Sequence, residues 1–256
     1  MRDSASSIPQ TIGNSKLPIS WLESTDVQSS TNEHHNSRSQ IAALFLAAGT
    51  SSRFGNGLNK LLLPFGDASK NELVVQCSLR RVLSAGIQHI VIVTGHERER
   101  VSQALGYVEH PSATIEWAHN PIYREGEMIS SIQAGLRHLL PQRDVVAALV
   151  CLGDQPLMPP TIIRRVVHAF QHNCGDIVAP RFQGLRGHPV LLHRRFWEEA
   201  LALPHGAFLR ELLKRHPQAV TPIEVNTDFV LRDVDTPEAY REALALQQLV
   251  QVAPLK

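Results

Sequence analysis

The sequence predicts an α/β protein in which helices cover both faces of a mostly parallel sheet. Three observations predict it. From Ile41 onward, short β-rich apolar runs alternate with segments of helical period, the signature of successive β-α-β units. Several of the helical segments carry recognisable ends, among them Gly86 and the Thr236-Pro237-Glu238 start signal. A chain of 256 residues, 43% hydrophobic and 19% charged, can bury the core that such a sheet requires.

In chain order, strands are expected at 41–47, 88–94, 114–118, 145–152, 177–179 and 190–192. Helices are expected at 73–85, 97–105, 128–140, 161–173, 196–203, 207–215 and 237–249. Gly86 can close the first helix, and Thr236 can cap the last with Pro237 at its first position. The segment before that cap, Leu231 to Asp235, reads as the end of a strand. The region contains no internal repeat and no linker, so 41–256 is expected to form a single domain.

Residues 1–40 differ in character. They are rich in Ser, Asn and Gln, and their scattered apolar residues keep no period of 2 or 3.6, which predicts a disordered tail. The tail lacks a charged stretch followed by an apolar one, and Asp3, Glu23, Asp26 and Glu33 argue against a transit peptide. A cytoplasmic location is expected. Cys77, Cys151 and Cys174 lie far apart with no C-x-x-C spacing, so reduced thiols are expected. The net charge of +1 gives no broad basic footprint, and nucleic acid is not an expected partner. The apolar runs at 41–48 and 145–152 fall short of the ~20 residues a membrane span needs.

In an open α/β sheet, ligands collect beyond the carboxyl ends of the strands. The first strand runs into Leu46-Ala47-Ala48-Gly49-Thr50-Ser51-Ser52-Arg53-Phe54-Gly55, with Lys60 close behind. Small residues let backbone N–H groups approach an oxyanion, hydroxyls add donors, and Arg53 and Lys60 supply positive charge. The loop reads as a triphosphate cradle of its own kind. Neither the Walker pattern G-x-x-x-x-G-K-[ST] nor the dinucleotide fingerprint G-x-G-x-x-G is present there. Thr94, after the second strand, and Asn120, after the third, join the candidates for the nucleotide.

After the fourth strand, Gly153-Asp154-Gln155-Pro156 places a carboxylate at the same edge. A hard oxygen ligand there suits Mg2+, which takes one or two carboxylates and fills its shell with substrate phosphates and water. Asp154 is the first candidate ligand. Asp233 and Asp235 offer a second, and strand alternation would send only one of them into the cleft. Both segments also have a plain structural reading, as a turn and as a helix start. Ser130 and Ser131 open a helix, as anion-site hydroxyls or as simple caps. Arg186 and His188 sit in Gly184-Leu185-Arg186-Gly187-His188-Pro189, a turn that can hold a phosphate or merely face solvent.

Taken in order, these motifs resemble the MobA-like NTP transferases, the family that includes the molybdenum cofactor guanylyl- and cytidylyltransferases. The resemblance covers about residues 41–240. It implies a Rossmann-like, three-layer fold of the nucleotide-diphospho-sugar transferase type. It implies that the first loop wraps a triphosphate, with Arg53 and Lys60 on phosphate oxygens, and that Asp154 and Asp235 hold Mg2+. The catalytic set would be Arg53, Lys60 and Asp154, and the nucleotide would contact Leu46, Ala47, Ala48, Gly49, Ser51, Thr94 and Asn120. Ser130, Ser131, Arg186 and His188 would lie on the pterin side. Leu46-Ala47-Ala48-Gly49 is similar to the cytidylyltransferase pattern Leu-Ala-Ala-Gly, where the guanylyltransferases carry Leu-Ala-Gly-Gly, so CTP is the implied nucleotide and molybdopterin the acceptor. A molybdoenzyme apoprotein or its chaperone is a further implied partner.

One departure stands out. Some relatives carry acidic-x-Gly-Ala-Arg where this chain has Pro204-His205-Gly206-Ala207-Phe208, and that segment is left outside the expected site. Rival readings are a guanylyltransferase, a sugar- or polyol-phosphate nucleotidyltransferase, and a non-catalytic carrier of the cofactor. The retained Lys60, Asp154 and Asp235 argue against the carrier. His168 and His172 lie four apart on an expected helix, but with no H-E-x-x-H pattern they read as a solvated face.

Overall fold

The computed structural model of the chain describes residues 40–252, apart from 56, 67–71, 109 and 126. Except for Gln40, the expected tail lies outside the described residues. The strands are β1 (Gln40–Ala47), β2 (His89–Thr94), β3 (Thr114–His119), β4 (Val145–Leu152), β5 (Ile177–Phe182), β6 (Leu185–Arg186), β7 (Val190–His193) and β8 (Val220–Glu224). The helices are α1 (Val74–Ser84), α2 (Arg98–Leu105), α3 (Glu127–Leu139), α4 (Pro160–Gln171), α5 (Trp197–Leu201), α6 (Leu209–Arg215) and α7 (Pro237–Val252).

The strands join in one eight-stranded sheet, ordered β3-β2-β1-β4-β7-β5-β6, with β8 paired to β5. Strands β1 to β4 run parallel to one another, β7 runs antiparallel to both β4 and β5, and β8 is parallel to β5. This is the mixed but mostly parallel sheet that the β-α-β alternation predicts.

Helices on both faces explain why β1 reads as a continuous apolar run rather than an alternating one. Along β1, Ala42, Leu44 and Leu46 pack on one face with Ile129, Ile132 and Leu136 of α3, Trp197 of α5 and Leu212 of α6. Ala43, Phe45 and Ala47 pack on the other with Leu79 of α1, Val101 of α2 and Ile163 of α4. Alternation of side chains along the strand produces the division. A third, smaller cluster joins Phe54, Leu157, Val234 and Ala243, so the first loop, the loop after β4, the segment before α7 and α7 itself share one core.

Two strands and one turn differ from expectation. Strands β6 and β8 have no counterpart among the expected strands; β8 carries Pro222 and stays largely half-buried to exposed, which removes the apolar signal. The segment before Asp233 is a 3-10 turn, Asp228–Leu231, whose start is held by the Thr227 hydroxyl accepting from the Phe229 N–H at 3.3 Å. Because it is no strand, alternation does not separate Asp233 from Asp235. The expected cap does form: the Thr236 hydroxyl accepts from the Ala239 N–H at 3.1 Å.

Candidate active site

The cleft lies beyond the carboxyl ends of β1 and β4. Where the chain leaves β1 it turns through Ser51, with φ of 56°, into a 3-10 turn, Ser52–Phe54, anchored by buried Phe54. The Ser51 hydroxyl accepts from the Lys60 N–H at 3.0 Å, and Asn59 Oδ1 accepts from the Leu61 N–H at 3.1 Å. These contacts fix the backbone of Lys60 against the loop and leave its side chain directed across the cleft.

The loop after β4 is held from both sides. Gly153 donates its N–H to the Leu46 carbonyl at 2.9 Å, and a Cβ at this position would sit 2.8 Å from that oxygen, so only glycine fits. The Asp154 carbonyl accepts from the Val234 N–H at 2.9 Å, and Gln155 Nε2 donates to Asp233 Oδ1 at 2.7 Å. The 3-10 turn in front of Asp233 is wedged in turn by Gly187, where a Cβ would lie 2.1 Å from the Val230 carbonyl oxygen. His188 donates its N–H to that same oxygen at 3.0 Å.

As a result, four charged groups that are remote in sequence meet. The Lys60 ammonium donates to the carboxylates of both Asp154 and Asp235, and Arg53 Nη1 donates to Asp235 Oδ2 at 2.6 Å. Side-chain exposure rises outward, from 10% for Lys60 and 16% for Asp154 to 35% for Asp235 and 70% for Arg53. Burial acts to lower the Lys60 pKa, but the Asp154 and Asp235 carboxylates outweigh it and hold the amine above its ordinary value. Asp233 is pushed up to about 7, first by burial and then by the neighbouring Asp154 charge, against the hydrogen bond from Gln155.

A cavity of about 340 Å3 opens over this cluster. Its lining brings together Leu46, Ala48, Gly49, Ser51, Arg53, Lys60, Ser131, Asp154 and Asp235 from the expected set. It adds Thr50, Ser52, Tyr123, Glu127, Met128, Leu152, Phe208 and Asp233. Phe208 belongs to the segment 204–208, which departs from the family pattern and stands outside the expected site; the sequence offers only the aromatic residue itself as a signal. A larger cavity of about 680 Å3 opens at the amino ends of the strands, around Gln40, His89 and Thr114, and contains none of the expected residues.

Six expected residues do not line the cleft. Ala47 points into the core. Thr94 is buried, with its hydroxyl donating to the Ala118 carbonyl at 3.3 Å. Asn120 is 1% exposed; its amide donates to the Ser130 and Ser131 hydroxyls at 2.8 and 3.0 Å, and its Oδ1 accepts from the Ile122 N–H. It positions the start of α3 rather than facing a ligand. Ser130 is likewise buried, donating to the Glu127 carbonyl. Arg186 is exposed on β6, and His188, half-buried, precedes a cis bond to Pro189, its pKa drawn down to about 4 by burial against the pull of Asp154. His168 and His172 stack on each other at 3.9 Å on the outer face of α4, as a solvated face predicts.

Among the described residues, no three His, Cys, Asp or Glu side chains form a complete metal cage. The donor set nonetheless fits a divalent cation of the magnesium kind. Asp154 and Asp235 already share one cationic group, the Lys60 ammonium, and two carboxylate oxygens with substrate phosphates and water complete such a shell.

Residues 43–220 match the model of the MobA-like NTP transferase domain. The chain belongs to the MobA-like NTP transferase family. It is therefore a nucleotidyltransferase, and the carrier reading gives way to an enzyme. The matched span includes Arg53, Lys60 and Asp154, and it ends before Asp233 and Asp235. This transferase is 27% identical over 202 residues to the molybdenum cofactor cytidylyltransferase of Escherichia coli (strain K12), covering 79% of this chain and 94% of that one. Its fold is similar to a nucleotidyl transferase from Methanothermobacter thermautotroptrophicus, with a TM-score of 0.67 at 22% identity over 82% of this chain and 99% of that one. It is also similar to Rv0371c of Mycobacterium tuberculosis H37Rv, solved as a complex with manganese, with a TM-score of 0.63 at 23% identity over 80% and 98% of the two chains. Those two likenesses concern the fold alone. No helix among the described residues is long and apolar enough to cross a membrane.

Proposed function

We propose that this enzyme transfers CMP from CTP to the terminal phosphate of molybdopterin, forming the cytosine dinucleotide and releasing pyrophosphate. The observation that carries the reading is the convergence of Arg53 and Lys60, from the loop after β1, with Asp154 and Asp235 in one cleft. That set neutralises phosphate charge and contains no nucleophilic triad. The similarity to the Escherichia coli cytidylyltransferase, which this chain matches over 94% of its length, supports the choice of substrates.

A phosphate oxygen of the acceptor attacks the α-phosphorus in line, a new P–O bond forms, and the bond to pyrophosphate breaks. The nucleophile is already an anion, so no general base is needed. The protein supplies alignment and compensation of charge. The backbone N–H groups of residues 49–52 face the triphosphate, Arg53 reaches it from the open side, and Lys60 moves from the carboxylates onto phosphate oxygens. Asp154 and Asp235 would hold Mg2+, which would supply Lewis-acid neutralisation of phosphate charge.

Cytoplasmic action belongs to the same proposal, with three free cysteines as support. The recipient of the product would be a molybdoenzyme apoprotein or its chaperone. The test is pyrophosphate release from CTP, GTP and ATP with molybdopterin and Mg2+. CTP should dominate. A wild-type enzyme that prefers GTP, or that turns over only with a sugar or polyol phosphate, would refute this substrate assignment and leave the transferase class intact.

A further inference from the structure

The cleft is lined by two unlike sets of side chains. Arg53, Lys60 and the three aspartates make one; Met128 from the start of α3 and Phe208 from the turn before α6 make the other. Met128 is 38% and Phe208 42% exposed, large apolar side chains left open inside a cavity whose remaining lining is chiefly polar or charged. An apolar surface of this kind within a cleft is a place where a ligand is covered.

The Phe208 ring is held rather than loose. Its N–H donates to Glu211 Oε1 at 3.1 Å, and the Glu211 N–H donates to the Phe208 carbonyl at 2.9 Å, a reciprocal pair that fixes the backbone at the start of α6. The Arg210 guanidinium carbon lies 4.2 Å from the ring centroid, covering one face of the ring. A preset aromatic plane loses little entropy when a second flat ring stacks on it.

We propose that Phe208, with Met128 of the same cavity, is the platform for the acceptor, and that the acceptor carries a flat conjugated ring as well as a phosphate. The inference rests on the nucleotidyltransfer reading above and sharpens it. The nucleotide needs the charged groups and the loop after β1, and Met128 and Phe208 come from other segments of the chain. A ring seated on Phe208 and Met128 shares one cavity with Lys60 and Asp154, where the bond must form. A sugar phosphate would make poorer use of this apolar surface, so Phe208 selects between acceptor classes.

The test is a fluorescence titration with neopterin monophosphate, a pterin bearing a terminal phosphate, in the presence of Mg2+ and a non-hydrolysable CTP analogue. Phe208→Ala should weaken probe binding about tenfold, the scale of one lost aromatic stack, while Phe208→Tyr retains it. Affinity for the CTP analogue should stay unchanged in both variants, and both should still melt in one cooperative transition. Equal probe binding by wild type and Phe208→Ala overturns the inference, as does parallel loss of the CTP analogue. Absence of probe binding to the wild type, with glucose 1-phosphate bound instead, overturns it too. Phe208-dependent probe binding by an enzyme that fails to transfer CMP to molybdopterin supports the platform and removes only the substrate assignment.

Discussion

The Lys60 ammonium pairs with the Asp154 carboxylate across 94 positions of sequence, and it bonds Asp235 at the same time. The amine thus holds the place where a divalent cation would bind. Lys60→Met should raise the affinity for free Mn2+ about tenfold, because two carboxylates lose a competing positive charge. On the proposed reaction, turnover should fall sharply in the same variant, since the triphosphate would lose its amine. Isothermal titration without nucleotide reads the first effect. Unchanged or weaker metal binding would show that Lys60 does not compete for those carboxylates.

Ala48 lines the cleft at the end of β1 with little exposed surface. If the base lies here, as the proposed reaction implies, a methyl in place of hydrogen narrows the room for a purine, and one such group is worth about 1–3 kcal/mol of discrimination. Ala48→Gly should therefore move the CTP to GTP ratio of kcat/KM toward GTP by about tenfold without reversing it. A ratio that does not move would transfer base selection to other contacts.

Asn120 holds the first turn of α3 from within the core, through two donated hydrogen bonds and one accepted. Asn120→Ala leaves the Ser130 and Ser131 hydroxyls without this donor and should cost about 1–3 kcal/mol of stability. Because Ser131 and Met128 of the same helix line the cleft, the KM for the acceptor should rise more than that for CTP. Chemical denaturation together with two-substrate kinetics checks both. A variant as stable as the wild type would remove the positioning role.

Glu116 accepts hydrogen bonds from His89 at 2.7 Å, His138 at 2.6 Å and Gln142 at 3.1 Å, at the edge of the larger cavity. Burial acts to raise its pKa, but the two imidazoles and the amide outweigh it, and the net shift is downward from 4.5. A carboxylate with a lowered folded pKa adds stability above its unfolded value and loses it as pH falls through the folded one. Glu116→Gln should cost about 1 kcal/mol at neutral pH, a figure kept small by partial exposure. The difference from wild type should close below pH 4.5. Melting curves across that range decide the point, and a gap independent of pH would rule out the linkage.

Much of this architecture is written locally. Strands β1 to β4 and all seven helices follow from apolar periodicity and end signals, within a few residues at their boundaries. The loop after β1 and Asp154 stand out because a strand end in an open sheet marks its ligand edge. Strand β8 escapes such reading because Pro222 and a half-exposed face erase its pattern. Thr94 and Asn120 also follow strands, yet they turn inward to satisfy buried polar groups, and position in sequence does not distinguish the two uses.

The sequence by itself determined the layered α/β order, the family and the small set of charged residues from which a site could be built. Tertiary structure decided which of them meet. Asp235 reaches Lys60 because a 3-10 turn replaces a strand, because Gly187 lets that turn close on Val230, and because Val234 hydrogen-bonds the Asp154 carbonyl. Phe208 enters the cleft for a similar reason, carried there by the packing of α5 and α6 against α3 on one face of the sheet. Periodicity reports only neighbours within a turn or a strand, whereas these contacts join segments tens of residues apart through packing and hydrogen bonds that form when the core closes.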